Sequence, residues 1–180
     1  MDAFIIDASR TPTGRSHPEK GAFKNLRADE LLATLMKSMQ TKIDPNHLDD
    51  ILIGCVGQHL EQGKNIARLS ALLAGYPTSV PAVTINRLCA SSLQSLLSGA
   101  LTVEAGLAEV VLAGGVEHMQ HVPMTGCLDY SKELLSRYEF PFTNMGLTAE
   151  KVATLFEISR KDQDEFALHS HTKAVQAQND

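Results

Sequence analysis

No run of eighteen consecutive apolar residues occurs in these 180 residues, so no membrane-spanning helix is expected. Basic charge is in deficit: 16 Lys and Arg against 21 Asp and Glu give a net charge of −5. Phosphate neutralisation needs a basic face and none is visible, so a nucleic-acid partner is not expected. The opening MDAFIIDASRTP lacks both the basic start and the long apolar centre of a secretory signal. Cysteine is scarce and odd in number. Cys55, Cys89 and Cys127 are widely spaced, which argues against a disulfide framework and for a reducing, cytoplasmic setting. No G-x-G-x-x-G and no phosphate-loop Lys-Ser/Thr motif appears, so Gly114-Gly115 is no dinucleotide fingerprint. Internal repeats and low-complexity tracts are absent.

The remainder reads as a globular chain, 43% hydrophobic and 21% charged, long enough for a sizeable core. Residues 3–9, AFIIDAS, read as a strand that runs into a Pro- and Gly-containing loop. In RADELLATLMKSMQ, Leu31, Leu32, Leu35, Met36 and Met39 recur at helical spacing. ILIGCVG (51–57) reads as a buried strand, NIARLSALLAG as a helix stopped by Gly75, and VPAVTIN as a strand opened by Pro81. From Leu88 to Val103 no side chain is charged. Leu93, Leu96, Leu97, Ala100 and Leu101 form one helical face there, and Ser91, Ser92, Ser95, Ser98 and Gly99 the other. Apolar on one side and merely small on the other, this helix is expected to be buried all round. AEVVLAGG closes the pattern as a further strand. Alternating strands and helices predict an α/β fold with a mostly parallel sheet covered on both faces. Residues 116–144 read as a long loop region with a short helix at Lys132–Tyr138, and two helices follow. Ser159 with Asp162 three residues on resembles a capping box.

Cys89 stands where a strand ends and that uncharged helix begins. A helix N-terminus favours the thiolate, which is the nucleophile, and its free N–H groups suit a developing oxyanion. Both properties fit covalent acyl transfer through Cys89. Position alone also allows a small apolar filler at Cys89, as buried cysteines often are. Cys55 lies inside an apolar strand and reads as packing, and Cys127 as an incidental loop thiol. His118-Met-Gln-His121 with Cys127 lacks a second well-spaced pair, so no metal is assigned. His169 and His171 fall on a polar helix and read as solvated.

VTINRLCASSLQS resembles the nucleophile segment of the thiolases. IIDASRTPTGR, GAFKNLRADEL, GGVEHMQHVPM, MGLTAEKVA and ISRKDQDEFALHSH are similar to further blocks of the same family, in the same order. The likeness is strongest to the thiolase of the bacterial fatty acid oxidation complex. It implies a thiolase-like α/β fold, with the nucleophile half over residues 1–115 and the beginning of the loop domain over 116–180. It implies thiolysis of 3-ketoacyl-CoA by CoA, with Cys89 as nucleophile and Met145 near the acyl or pantetheine part. CoA would enter as substrate, with no metal or separate cofactor. The implied partners are a second copy in a homodimer and a hydratase/dehydrogenase subunit. A biosynthetic acetoacetyl-CoA thiolase and a non-catalytic truncated subunit are the alternatives.

Three departures stand out. Ala90 replaces the usual Gly after the nucleophile, where a Cβ is expected to narrow the site or restrain the backbone. Asn144 stands where many thiolases have His. The family's Gly-His-Pro segment, whose His activates the nucleophile, and its Cys-x-Gly-Gly-Gly segment, whose Cys is the acid/base, do not occur in these 180 residues. The chain is therefore expected to be incomplete as a catalyst.

Overall fold

A computed structural model describes residues 2–124, 126, 128–138 and 143–180. The chain divides into two compact units, residues 1–127 and 128–180.

The first unit is built on three parallel strands, β1 (Asp50–Gly54), β2 (Ala82–Ile85) and β3 (Val111–Gly115), in the order β2-β1-β3. In register, Ile51 faces Ala82 and Leu112, and Gly54 faces Ile85 and Gly115. Parallel neighbours need crossovers. Helix α2 (Ile66–Leu73) carries the chain from β1 to β2, and α3 (Ser91–Glu104) from β2 past β1 to β3. Helix α1 (Ala28–Met39) precedes them and packs with α2. Side chains alternate along β1. Ile51 and Ile53 enter a core with Leu32 and Met36 of α1 and Ile66 and Ala67 of α2. Gly54, on the other face, meets the start of α3. Helices thus cover both faces, as the alternation of elements predicts. Local chemistry explains the ends of α2. The Asn65 side chain accepts the Arg68 N–H at 3.2 Å, and Gly75, at φ +84°, ends the segment in a conformation that favours glycine.

Two expectations are corrected. Residues 3–9 form no strand, and Phe4, Ile5 and Ile6 are exposed. Their composition suits a strand, but a strand exists only where its N–H and C=O groups meet a neighbour, and no described residue pairs with them. Helix α3 is not buried all round either. Its buried residues are Ser91, Ser95 and Gly99, whereas Leu93 is 57%, Leu97 51% and Leu101 62% exposed. The cause is close approach. The Ser95 hydroxyl lies 2.7 Å from the Gly114 carbonyl, and a Cβ on Gly99 would stand 3.1 Å from Val111. Only the small face fits at that distance, so the leucines turn outward.

The same approach needs Gly54, where an added Cβ would come within 2.6 Å of the Ser91 carbonyl oxygen. Gly54→Ala is expected to cost about 3 kcal/mol, read as a lower urea midpoint. An unchanged midpoint would mean that α3 has room to shift.

The second unit holds α4 (Lys132–Ser136), α5 (Met145–Leu155) and α6 (Arg160–Asn179). None of its described residues is buried. Ser159 and Asp162 form the reciprocal capping box at the start of α6. Arg160–Asp164 at 2.9 Å and Lys161–Glu165 at 3.7 Å add pairs one turn apart. Among the described residues, no helix is long and apolar enough to cross a membrane.

Candidate active site

Because the three strands run parallel, the loops after β1, β2 and β3 leave from one edge of the sheet. The carboxyl edge of such a sheet is where α/β proteins commonly place ligands. Cys89 lies in the loop after β2, two residues before the first residue of α3, and is exposed. Ala90 is the N-cap and supplies no side-chain acceptor to the first turn of α3. The sequence expectation of a thiol at a helix start is met. Ala90 sits at φ −95°, an ordinary conformation, so its Cβ imposes no backbone strain. The unusual residue is Leu88, at φ +49°.

Two side chains fix this turn. The Ser91 hydroxyl accepts the Arg87 N–H at 2.8 Å and donates to the Leu88 carbonyl at 2.6 Å. The Asn86 side-chain oxygen accepts the Leu88 N–H at 2.9 Å, and its amide donates to the Val56 carbonyl at 3.2 Å. Sequence reasoning gave neither residue a role in the site. Ser91 read as part of a small face, and its burial was the missing signal.

The loops after β1 and β3 are tied by a second group of polar residues. The fully buried Gln62 amide donates to the Gly57 carbonyl at 2.9 Å and to Glu117 at 2.7 Å, and its oxygen accepts the His118 N–H at 2.6 Å. Glu117 also accepts the Val56 and Gly57 N–H groups, at 2.8 and 3.2 Å. Cys55 packs beneath this group, where burial, aided by the Glu117 charge, pushes its thiol up to about 12. The strand expected over 51–57 ends at Gly54, and Cys55, just beyond it, is packing and no nucleophile.

His118 and His121 stack with ring centroids 4.1 Å apart, and both lie close to Glu61. His118 Nδ1 accepts the His121 N–H at 3.3 Å, which assigns the ring proton to Nε2, 3.1 Å from the Phe23 carbonyl. His121 faces an acceptor on each side, the Lys24 carbonyl at 2.8 Å and Glu61 at 3.0 Å. All four ring nitrogens are occupied by protein partners. The cluster acts as a clasp between loops. The Lys24 carbonyl first, then Glu61, raise the His121 pKa above its usual value. A raised folded pKa stabilises the fold fully below the unfolded value, about 6.5, and that stability is lost as pH rises through the folded value. Melting temperature is therefore expected to fall from pH 6 to pH 8 in the natural chain, and by less in His121→Gln. Equal slopes would overturn the assignment.

Met145 is the first residue of α5 in the second unit and is 74% exposed. Asn144 caps that helix, its side chain accepting the Leu147 N–H at 3.1 Å, which gives the departure from His a local role. His169 and His171 are exposed on α6. Cys127 lies outside the described residues.

Comparison with known proteins agrees with this architecture. The family described as "Thiolase, N-terminal domain" matches residues 3–180. A 3-ketoacyl-CoA thiolase of Pseudoalteromonas translucida is 52% identical over 176 residues, covering 96% of this chain and 45% of that protein. One of Photorhabdus laumondii is 53% identical over 179 residues, covering 98% and 46%. The crystal structure of the Bacillus anthracis acetyl-CoA acetyltransferase superposes with a TM-score of 0.70 at 34% identity, over 88% of this chain and 44% of that one. The chain thus spans about half the length of the relatives it matches. Matched over residues 3–180 by that family, the chain belongs to the thiolases through their N-terminal domain.

Proposed function

We propose that these residues form the nucleophile half of a 3-ketoacyl-CoA thiolase. The observation that carries the reading is the exposed Cys89 at the start of α3, in a chain about half identical to proteins named for that activity. Cys89 Sγ attacks the 3-keto carbon, and the bond between C2 and C3 breaks. The departing acetyl-CoA carbanion takes a proton, and the acyl group stays on sulfur as a thioester. A second CoA thiol attacks that thioester, releases a shortened acyl-CoA and returns Cys89. By likeness to the family, the Cys89 backbone N–H would serve one oxyanion hole. The base for Cys89 and the acid for the leaving carbanion belong to the Gly-His-Pro and Cys-x-Gly-Gly-Gly segments that these residues lack. Neither His118 nor His121 is offered in their place, since both rings are bonded within the clasp.

In this reading CoA is a substrate and no metal is required. By likeness to the family, residues from about 116 onward begin the loop domain, and Met145 lies near the acyl or pantetheine part of the substrate. The assembled protein is a cytoplasmic homodimer, with a hydratase/dehydrogenase subunit as the further partner. The exposed leucines of α3 supply the apolar surface that a second half would cover.

Iodoacetamide labelling of the folded chain at neutral pH, read by peptide mass mapping, tests the nucleophile. Cys89 is expected to react first and Cys55 last. Faster labelling of Cys127 than of Cys89 would move the assignment. In an assembled enzyme, turnover of acetoacetyl-CoA alone among 3-ketoacyl-CoA substrates would favour the biosynthetic reading.

A further inference from the structure

We infer that Ser91 and Asn86 are positioning residues for Cys89: together they hold Leu88 in a left-handed turn, and that turn fixes the thiol at the start of α3. The inference rests on the reading of Cys89 as nucleophile.

The first ground is Leu88 itself. At φ +49° its Cβ crowds the following carbonyl, a conformation that a branched side chain avoids. Such a residue persists only where its surroundings over-determine it. Its own side chain offers no compensation, because it is 66% exposed. The constraint therefore comes from outside Leu88, and what sets this turn apart from those at Leu60, Lys64 and Glu157 is that the next residue is Cys89.

The second ground is the placement of the two side chains. Between them they engage the Arg87 N–H, the Leu88 N–H and the Leu88 carbonyl, the polar groups around the strained residue. Ser91 is the first residue of α3, yet its hydroxyl does not cap the helix; it points back along the chain into the turn. Helix capping therefore does not account for it.

The third ground is anchorage. Ser91 is buried, and its backbone lies against Gly54 at the end of β1. Asn86 is tied to the Val56 carbonyl, and the Val56 N–H is held by Glu117 from the loop after β3. The turn that carries Cys89 is thus referenced to the ends of both other strands. Reactive groups need this kind of support, because small displacements carry large rate penalties.

The test uses the 180-residue chain and the rate of Cys89 carboxamidomethylation by iodoacetamide, mapped residue by residue, with the urea-unfolded chain as reference. In the folded natural chain Cys89 is expected to react about tenfold faster than in urea. Ser91→Ala and Asn86→Ala are each expected to bring the folded rate down to the urea rate while buried Cys55 stays protected. Adding Leu88→Gly to either variant is expected to restore most of the rate, because glycine adopts the left-handed turn unaided. Ser95→Ala removes another buried hydroxyl of α3, one turn on, and is expected to leave the Cys89 rate unchanged. If natural Cys89 reacts no faster than in urea, this inference is overturned, while the nucleophile reading is decided separately by Cys89→Ser in the assembled enzyme. If natural Cys89 is fast and both variants are equally fast, the inference alone is overturned. A loss that Leu88→Gly fails to restore also overturns it, since the side chains would then act through the helix and not through the turn. Should Ser91→Ala expose Cys55, Asn86→Ala decides, because the Asn86 side chain lies at the surface.

Discussion

Cys89→Ser in a chain supplied with its second half is expected to lower kcat for thiolysis by about 10⁴-fold or more, with stability held within about 0.5 kcal/mol. Oxygen replaces sulfur in a side chain of nearly the same shape, and Cys89 is exposed, so little packing is disturbed. The chemistry changes far more. A hydroxyl is a weak nucleophile unless a base is tuned to it, and the base of this family is matched to a thiol. Carbon–carbon cleavage also leaves the acyl group on the nucleophile, and a thioester on Cys89 is a form from which a second CoA thiol readily takes it. Steady-state thiolysis and thermal melting, taken side by side, decide the matter. Activity within tenfold of the natural enzyme would refute the nucleophile, and a large drop in melting temperature would show a structural residue.

The second large effect concerns the 180 residues taken alone. They are expected to give no detectable turnover of 3-ketoacyl-CoA, and to gain it when a C-terminal half is supplied. The clasp engages the imidazoles of both His118 and His121, so the loop after β3 offers Cys89 no free base. Nucleophile and base act as a unit, so losing one forfeits most of the benefit of both. The exposed leucines of α3 and the unpaired Phe4, Ile5 and Ile6 should make the isolated chain self-associate. Loss of 3-ketoacyl absorbance, followed with CoA present, reports the activity. Rates of about 1 to 10³ per second from these residues alone would overturn the claim.

The sheet and its crossovers were legible because their signals are local. Ile51 to Ile53 form an unbroken apolar run, Gly75 marks a helix end, and Leu32 and Met36 recur at helical spacing. Cys89 was legible as a candidate for the same reason, standing between a β-branched run and a helical period. The strand expected at residues 3–9 failed because pairing is a property of two segments, and one segment cannot declare its partner. The burial of α3 failed for a different reason. Neither of its faces is charged, and hydropathy favours the leucines. What selects the serines is the distance of approach, set by Gly54 and Gly115 on other elements. Gln62, Glu117 and the Ser91–Leu88 turn were not legible at all. Polar loop residues carry no period, and nothing in a leucine's identity announces a left-handed backbone.

Helix α6 bears on the order in which the chain acquires structure. Its capping box and its Arg160–Asp164 and Lys161–Glu165 pairs lie within the helix and its N-cap and need no other element. Such a segment forms in about a microsecond. Strands β1 and β3 must first close a loop that runs from Gly54 to Val111, a slow, non-local search. Residues 160–179 are therefore expected to sample helix while the strands are still unpaired, and none of them is buried. The helix and the sheet keep separate clocks, and the emergence of the Cys89 turn is timed by the slower one.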